Sequence, residues 1–568
     1  MRTATLAASA TAPSLGRLGA VLLCAVPAAW LLPNHYYPWV SAWQDGLAMG
    51  LLGLGALALG GRNRWPRSWA LLLLLAAASV AGQWAGGLIR FGGDAWMAWL
   101  YMLAFALALA AGGALMEGDE HTQQRRIHGL ALGLVLAAVA SVGIALAQWT
   151  QSSALGLYGI ELRPGGRPFG NLAQPNHLCT AAFMGLGATL ALYEAGRIGR
   201  VGLAAGAAFL LLGMVASGSR TGWLQLAMGF FVFLALRKRC RLRLQPAAAV
   251  AGLLVFAALT LAWPSLNEAS GLSGSRSLAA ASHEGLRLPL WLAMADALSQ
   301  RPWTGYGWQQ MVHAQWAVAL DHAAIQRHFE HSHNLVVDLL VWAGLPLGGL
   351  LVGLLALALL RPLAAWRDAQ TLGLYIGVLG LFVHGLLEYP HTYAYFLIPA
   401  GLVIGVVRAR NEGGGDPAAG WRWSRALAPA FALALAVTAV DYLEAETNHR
   451  TLRLESARIG VSRIESPAPQ LRVLTQLEAF LGFARLEARA GMSAHELQWF
   501  RDVAKRYAYP PSMLRLAVAE GLNGQAQAAA ETLKRICAMH PPARCDEARA
   551  AWVAAQQRWP QLAAVPAP

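Results

Sequence analysis

Charged residues are scarce in this sequence. Lysine, arginine, aspartate and glutamate together make up 13% of the 568 residues, whereas 56% are hydrophobic. A soluble chain of this length would carry about twice that charged fraction, so the shortage excludes that class. Apolar runs of roughly 17–22 residues recur up to about position 440, and each can cross a hydrocarbon layer of ~30 Å as a helix. The composition therefore predicts an all-α fold, that of a polytopic helical membrane protein.

Metal-ligand patterns are missing, and cysteines are few. The five cysteines have no spacing that suits zinc, and the carboxylates form no cluster that suits magnesium. We therefore expect no metal site and no cofactor. Cys537 and Cys545 lie close together near the C-terminal end of the sequence. They form either a disulfide, which an oxidising periplasm favours, or two free thiols.

The apolar runs predict about thirteen transmembrane helices. An odd number would place the two ends of the chain on opposite sides of the membrane. The first run lacks a persuasive cleavage site and is followed by further spans, so we expect a retained helix. The predicted spans lie near residues 17–33, 43–61, 67–87, 94–116, 127–148, 174–193, 199–217, 221–237, 247–264, 333–360, 369–388, 391–408 and 425–441.

The positions of the basic residues behind the net charge of +14 indicate how the chain is oriented in the membrane, and they argue against a nucleic-acid partner. Basic residues form short clusters on alternate connections, which marks those connections as cytoplasmic. The N-terminus should then be cytoplasmic. We expect a transmembrane catalytic domain over residues 1–442, with a large periplasmic loop at 265–332, and a periplasmic helical domain over residues 443–568.

The tail after residue 443 is charged, rich in alanine and leucine, and periodic. It weakly resembles tetratricopeptide-like helix pairs, and Ser493 with Glu496 has capping-box spacing. This domain either holds an acceptor or partner, or covers the membrane domain. The predicted amphipathic helices are Glu478–Ala490, Ser493–Tyr507, Ser512–Leu522 and Ala526–Met539.

Two polar groups on the external side belong to the first half of the chain. Arg167, Gln174, Asn176 and His177 stand in a Gly- and Pro-rich loop that leads into an apolar helix. They either point toward one site or form an ordinary turn and helix cap. Arg220 lies among small residues between two spans, where it binds an anionic oxygen or reaches toward lipid head groups.

The remaining polar groups lie in the second half. His331, His333 and Asn334 precede the apolar run that starts at residue 335. Ionisable groups at such a depth are functional candidates, although a solvated helix cap is the alternative. Three further candidates are external as well, with a solvated surface charge or packing between helices as the alternative: Arg287, Tyr306 and Tyr389.

Together these groups suit a membrane-anchored anionic substrate. Arginines can neutralise a departing diphosphate, and a histidine can accept the proton of an attacking hydroxyl. The predicted reaction class is glycosyl or phosphoryl transfer from a polyprenyl-diphosphate lipid.

Several motifs resemble known families. Three resemble the O-antigen ligase and polymerase superfamily: His333-Asn334 with the later Gly344-Leu345-Pro346-Leu347-Gly348, Ser219-Arg220-Thr221-Gly222, and Gly305-Tyr306-Gly307-Trp308. Three others resemble its subgroup of PglL-type bacterial protein O-oligosaccharyltransferases: Gly170-Asn171-Leu172-Ala173-Gln174-Pro175-Asn176-His177-Leu178, His331-Ser332-His333-Asn334, and Glu388-Tyr389-Pro390. The glycines after His333 depart from the strict ligase spacing.

The resemblance implies a GT-C-like, metal-independent enzyme of the bacterial inner membrane. It would move a preassembled glycan en bloc from undecaprenyl diphosphate to Ser or Thr hydroxyls of pilins and other periplasmic proteins. By match, His333 would activate or position the acceptor hydroxyl, and Arg220 and Arg287 would bind the diphosphate. Gln174 and Tyr389 would complete the pocket.

Other functions remain open from the sequence. An O-antigen ligase would use lipid A core as the acceptor, and a polymerase would extend the glycan. A lipid or sugar transporter would place ionisable residues at mid-membrane between broken helices. In this sequence they cluster toward one face.

Overall fold

The fold is helical throughout the part of the chain that the structure describes. A computed structural model describes residues 12–60, 67–163, 165–270, 285–411, 424–460 and 463–566, and no β-strand occurs among them. The all-α prediction is confirmed. The α-helices are α1 Ala12–Cys24, α2 Ala42–Leu59, α3 Arg67–Ala85, α4 Gly92–Ala114, α5 Glu120–Trp149, α6 Pro175–Glu194, α7 Arg200–Ala216, α8 Thr221–Cys240, α9 Pro246–Ser270, α10 Arg287–Gln300, α11 Met311–Val318, α12 Leu335–Ala364, α13 Ala369–Gly385, α14 Ala394–Asn411, α15 Ser424–Ser456, α16 Thr475–Phe483, α17 Ala494–Arg506, α18 Pro510–Leu522, α19 Ala526–Met539 and α20 Pro542–Arg558.

A helix occupies each of the thirteen predicted spans. Within the described ranges, seven helices are long and apolar enough to cross a membrane, namely α2, α3, α4, α5, α9, α12 and α15. The protein is therefore a multi-pass membrane protein, and the number thirteen stays a prediction. The first predicted span is not one continuous helix, because α1 ends at Cys24 and a 3-10 helix, Val26–Leu31, follows. Pro27 lies at the start of that 3-10 helix, where its missing N–H suits a new helix start.

The chain folds into two compact units, each built from separate stretches of the sequence. The first comprises Met1–Leu73, Leu100–His283 and Leu354–Ala436, and the second comprises Leu74–Trp99, Glu284–Gly353 and Val437–Pro568. The predicted boundary at residues 442/443 divides the chain by membrane side, and it stays a prediction. Residues 271–284 of the predicted periplasmic loop lie outside the described residues.

Small residues let helices approach closely in the first unit. A Cβ atom on Gly187 of α6 would lie 2.3 Å from the carbonyl oxygen of Gly373 in α13. A Cβ atom on Gly112 of α4 would lie 2.2 Å from the carbonyl oxygen of Leu402 in α14. Membrane helices pack by such close approaches because lipid leaves no hydrophobic driving force between them.

In the second unit, α12 is broken where the sequence predicted an unbroken span. Gly344 has φ 79°, and the amide of Leu345 donates to the carbonyl of Pro302 at 2.7 Å. The amides of Tyr306 and Gly307 donate to the carbonyls of Val341 and Trp342, at 2.8 and 3.1 Å. The turn after α10 thus takes up carbonyls that the break leaves without helical partners.

The tail helices belong to the second unit and largely follow the prediction. The Ser493–Glu496 capping box is present at the start of α17, as expected. The first predicted tail helix ends earlier, at Phe483, and α20 was not predicted. Pro542 lies at the N-terminus of α20, the position that proline favours. Of the two alternatives for Cys537 and Cys545, the structure contains the disulfide.

Candidate active site

In the first unit, the predicted loop-and-helix group forms the N-terminus of α6. The carbonyl of Gln174 accepts hydrogen bonds from the amides of His177 and Leu178, at 3.0 and 3.2 Å. The Asn176 side chain donates to Oε1 of Glu388 at 3.2 Å, across 212 residues of sequence. Glu388 is buried and directly precedes Tyr389. The fold therefore brings the Gln174–His177 group together with the Glu388–Tyr389 hinge.

His177 lies in an aromatic surround. Its side chain is 1% exposed, and Nδ1 lies 2.9 Å from the hydroxyl of Tyr395. The rings of Tyr393, Phe396 and His384 lie within 4.7, 5.3 and 5.7 Å of the His177 ring, measured between centroids. Its Nε2 atom has no hydrogen-bond partner among the residues that the structure describes. A fully buried imidazole with one such nitrogen is suited to meet a polar substrate atom.

Asp45 in α2 supports this arrangement, and the sequence analysis missed it. The carboxylate is completely buried, and it accepts hydrogen bonds from the amide of Tyr395 at 3.1 Å and from two hydroxyls at 2.6 Å, those of Ser41 and Tyr101. Tyr395 thus lies between Asp45 and His177. A carboxylate in the first turn of an apolar helix was the available signal, because such a group is costly in a membrane segment.

A second polar group ties α6, α8 and α13 together. The amide of Gln225 donates to the Thr180 hydroxyl at 2.8 Å and to the Gly380 carbonyl at 3.0 Å. Thr180 also lies 2.8 Å from Nδ1 of His384. All three polar side chains are buried. Gln225, which the sequence analysis did not single out, fixes the helix whose N-cap is Arg220.

Arg167 and Arg220 occupy different positions around one turn. The Arg167 guanidinium donates to the carbonyl of Gly218 at 3.1 Å, and Gly218 has φ 58°. Arg167 therefore fixes the turn that carries Arg220. The Arg220 side chain is exposed, and within the described ranges it has no hydrogen-bond or ion-pair partner. Its positive charge remains available to an anion.

The loop before α6 is held by amide side chains. Gln148 donates to the carbonyls of Ile160 and Gly170, at 2.8 and 2.7 Å, and accepts from the Gly170 amide at 2.8 Å. Asn171 presents its carbonyl to Nε2 of His35 at 2.8 Å. Burial lowers the pKa of His35, and the contact with the Asn171 carbonyl acts in the opposite direction. Besides two short 3-10 helices, Ser153–Tyr158 and Gly170–Leu172, these side-chain hydrogen bonds hold the loop in place.

In the second unit, the histidine-containing motif precedes α12. Asn334 caps this helix, since its Oδ1 accepts hydrogen bonds from the amides of Val336 and Val337 at 2.9 and 3.3 Å. Asn334 is therefore a helix cap, and its predicted contact with substrate stays a prediction. His333 is half-exposed and has φ 59°, in the left-handed region that few residues other than glycine adopt. Backbone strain of this kind is concentrated at functional sites.

Asp338 organises the motif from within α12, and it too was missed. Its side chain is completely buried, Oδ1 accepts the Ser332 amide at 2.8 Å, and Oδ2 lies 3.5 Å from Nδ1 of His331. The Ser332 carbonyl accepts a hydrogen bond from the indole of Trp291 at 2.8 Å. An aspartate four residues into an apolar run was the signal in the sequence.

The two other predicted residues of the second unit lie on neighbouring elements. Arg287 is half-exposed at the start of α10, one turn before Trp291, so α10 connects Arg287 to the histidine motif. Tyr306 is buried, and the Arg301 guanidinium lies 5.0 Å from its ring centroid. Burial raises the pKa of Tyr306. Its backbone, as described above, contacts the break in α12.

Comparisons with known proteins match three regions of the chain. Three family models match: "Protein glycosylation ligase" over residues 168–193, "O-Antigen ligase" over 205–352, and "Virulence factor membrane-bound polymerase, C-terminal" over 374–558. The first covers Gln174–His177, the second covers Arg220 and the histidine motif, and the third covers Tyr389 and the tail.

Two curated relatives come from Acinetobacter baylyi (strain ATCC 33305 / BD413 / ADP1). A general O-oligosaccharyltransferase is 28% identical over 525 residues, which is 90% of either chain. A ComP-specific O-oligosaccharyltransferase is 36% identical over 126 residues, or 22% of this chain and 23% of that protein.

The helical fold, the membrane spans and the matched segments indicate a membrane glycosyltransferase that is similar to the O-antigen ligases. The chain is similar to the protein glycosylation ligases at residues 168–193 and to a general O-oligosaccharyltransferase over 90% of its length, in agreement with the predicted resemblance to the PglL-type enzymes.

Proposed function

We propose that this protein transfers a preassembled oligosaccharide en bloc from undecaprenyl diphosphate to Ser or Thr hydroxyls of periplasmic proteins such as pilins. The observation that carries the proposal is the similarity to a general O-oligosaccharyltransferase over 90% of both chains. That relative's name supports an oligosaccharide donor and a protein acceptor. The lipid carrier, the class of acceptor and the inner-membrane location are inferences from the family and from the arrangement of charge.

In the proposed reaction, the acceptor hydroxyl oxygen attacks the anomeric carbon of the first sugar. A new C–O bond forms while the bond from that carbon to the phosphate oxygen breaks, and undecaprenyl diphosphate leaves. His333 accepts the hydroxyl proton or orients the hydroxyl. Arg220 and Arg287 stabilise the negative charge that develops on the diphosphate.

The other polar residues hold or orient substrate in this proposal. Asp338 and Trp291 fix the backbone next to His333, through the contacts at Ser332. Substrate contacts are assigned to Gln174, Asn176, His177, Tyr389, His331 and Tyr306, whereas Arg167 and Asn334 act through the turn and the helix cap that they hold.

Co-expression in a bacterium that makes a lipid-linked glycan, but does not glycosylate its own proteins, tests the proposal. Intact mass spectrometry of a candidate pilin should show the mass of one whole glycan added. Replacement of Arg220 by Gln should lower the rate of donor use more than tenfold, and replacement by Lys should restore part of it. Membranes treated with EDTA should retain transfer if the reaction is metal-independent.

An O-antigen ligase remains the second candidate, because the model that covers the histidine motif carries that description. In the same cells, lipid A core would then gain the glycan and the pilin would not. Modification of neither acceptor would contradict both functions.

A further inference from the structure

A loop segment, residues 326–330, leads directly into the histidine motif of the second unit. We call it the strap. It contains no helix or strand, and its residues contact two different parts of the unit in alternation. The two parts of the unit that contact the strap are α11 and the C-terminal tail.

The odd-numbered strap residues are held by α11. The Gln315 side chain donates to the carbonyl of Arg327 at 2.7 Å and accepts the amide of Phe329 at 3.0 Å. Phe329 is 6% exposed, and its ring lies 5.6 Å from the His333 ring, edge to face at 87°. The position of Phe329 therefore limits the positions that the His333 imidazole can adopt.

The even-numbered strap residues are held by the tail. The amide of Gln326 donates to the carbonyl of Ala538 at 2.9 Å. The His328 ring is stacked on the His540 ring, at 5.8 Å between centroids and 12° between planes. The Tyr509 ring lies 5.6 Å from His328, and the Tyr509 hydroxyl donates to Oε1 of Glu330 at 3.3 Å.

The tail side of this contact is itself fixed. His540 is buried, and its Nε2 lies 2.8 Å from the carbonyl of Ala508. The disulfide between Cys537 and Cys545 brackets both Ala538 and His540. Burial lowers the pKa of His540 to about 4, and burial also lowers the pKa of His328. The two stacked rings are therefore both neutral at neutral pH, and charge repulsion does not oppose the stack.

We propose that His540 and Tyr509 are positioning residues for the transfer step, acting on His333 through His328 and the strap. The proposal rests on the proposed function, since its readout is glycan transfer. It assigns the C-terminal helices to the catalytic apparatus. If they only covered the membrane domain or bound an acceptor, the strap contacts would have no effect on the chemical step.

The contact also differs from the general packing of the tail. The tail buries an apolar core that includes Val312 and Trp316 of α11, and a covering role needs only that core. The tail contacts the strap, in contrast, through one backbone hydrogen bond, two rings that pack on His328 and one hydroxyl. These are directional contacts, so they fix the position of a segment more than they add to stability.

The test uses the full-length enzyme in membranes, with purified lipid-linked glycan and acceptor. His328→Ala removes the stacked ring, and His328→Phe retains a flat ring between His540 and Tyr509. We expect kcat to fall about tenfold in the first variant and to recover in the second, with KM for either substrate unchanged within about twofold. His495→Ala, an exposed histidine of the same tail, is the matched control and should retain wild-type kcat.

A double-mutant cycle tests whether His540 acts through His328. His540→Ala should lower kcat by a similar factor, and the double variant should be no slower than the slower single variant, because contacting residues are not additive. If His540→Ala fails to fold, Tyr509→Phe, which removes the hydroxyl that donates to Glu330, replaces it in the same cycle.

Several results would overturn the proposal. The proposal would be wrong if His328→Ala kept the wild-type kcat, or if His328→Ala and His328→Phe lost kcat equally. It would also be wrong if the effects in the cycle were fully additive, or if only KM for the acceptor changed. Failure of the wild-type enzyme to transfer glycan would instead contradict the proposed function, so the two failures are distinguishable.

Discussion

At the scale of single residues, the structure adds buried acids and a tyrosine to the histidines and arginines that the motifs indicate. The polar residues of the motifs could be found from the sequence, because these residues lie in loops at the ends of apolar runs. Asp45 and Asp338 lie inside apolar helices, and their partners are Tyr395, Ser332 and His331. The Tyr395 amide, which donates to Asp45, lies 350 residues away in the chain, so no local pattern could indicate that contact.

Tyr395 allows a clean test of the His177 site. Tyr395→Phe removes only the hydroxyl 2.9 Å from Nδ1 of His177, so the imidazole loses the contact that fixes its orientation. We expect kcat to fall about tenfold. Tyr375→Phe is the matched control, since it removes an equally buried hydroxyl that bonds the Leu359 carbonyl. Similar kcat losses in the two variants would show that the effect is general destabilisation.

Asp338 should matter for both stability and rate. Asp338→Ala leaves the Ser332 amide buried without its acceptor, which costs about 1–3 kcal/mol. Asp338→Asn retains an acceptor for that amide but removes the charge that faces His331, so we expect near-normal thermal stability with a lower kcat. Thermal unfolding and transfer kinetics measure the two effects separately. A normal kcat in Asp338→Asn would show that the charge of the Asp338 carboxylate does not contribute to the transfer rate.

At the scale of helices and loops, apolar runs predicted the membrane helices well and their breaks poorly. Length and hydropathy are local properties, so each predicted span contains a helix, although the first span is divided into an α-helix and a 3-10 helix. The break in α12 depends instead on tertiary partners, since Pro302, Tyr306 and Gly307 bond to the backbone around Gly344. The strap lies within the segment that the sequence predicted only as a large periplasmic loop, 265–332. Its order comes from side chains of α11 and of the distant tail, which a single sequence does not reveal.

Gly344 should be essential to the break. Alanine there must adopt φ 79°, and its Cβ would lie 2.5 Å from the Trp303 carbonyl oxygen. We expect Gly344→Ala to lower the free energy of unfolding by about 1–3 kcal/mol. Gly349→Ala in the same helix is the control, because no atom lies within 4 Å of the added Cβ. Thermal unfolding in detergent compares them, and equal Tm values would contradict the steric argument.

At the scale of the whole molecule, transfer to a periplasmic acceptor requires that the polar groups face the periplasmic side of the membrane. The basic clusters predict that the tail is periplasmic. An alkaline phosphatase reporter fused after residue 450 should therefore be active, and a fluorescent reporter that folds only in the cytoplasm should be dark. The opposite pair of signals would reverse the orientation, although it would leave the helical fold unchanged.

The fold class, the membrane helices and the family could be predicted from the sequence, because they depend on composition and short motifs. The disulfide could be predicted only as an alternative, since thiol spacing does not fix the geometry of a bond. The meeting of the Arg220 turn with the His333 motif in one pocket stays a prediction.

The most direct measurement of the central claim is the mass of a purified acceptor after incubation with the enzyme in proteoliposomes and a lipid-linked glycan of known mass. Wild-type enzyme should add the complete glycan to one Ser or Thr side chain. His333→Asn, which replaces the imidazole with a side chain that tolerates the left-handed backbone, should fold normally and add nothing. Stepwise addition of single sugars, or transfer by His333→Asn at the wild-type rate, would contradict the account.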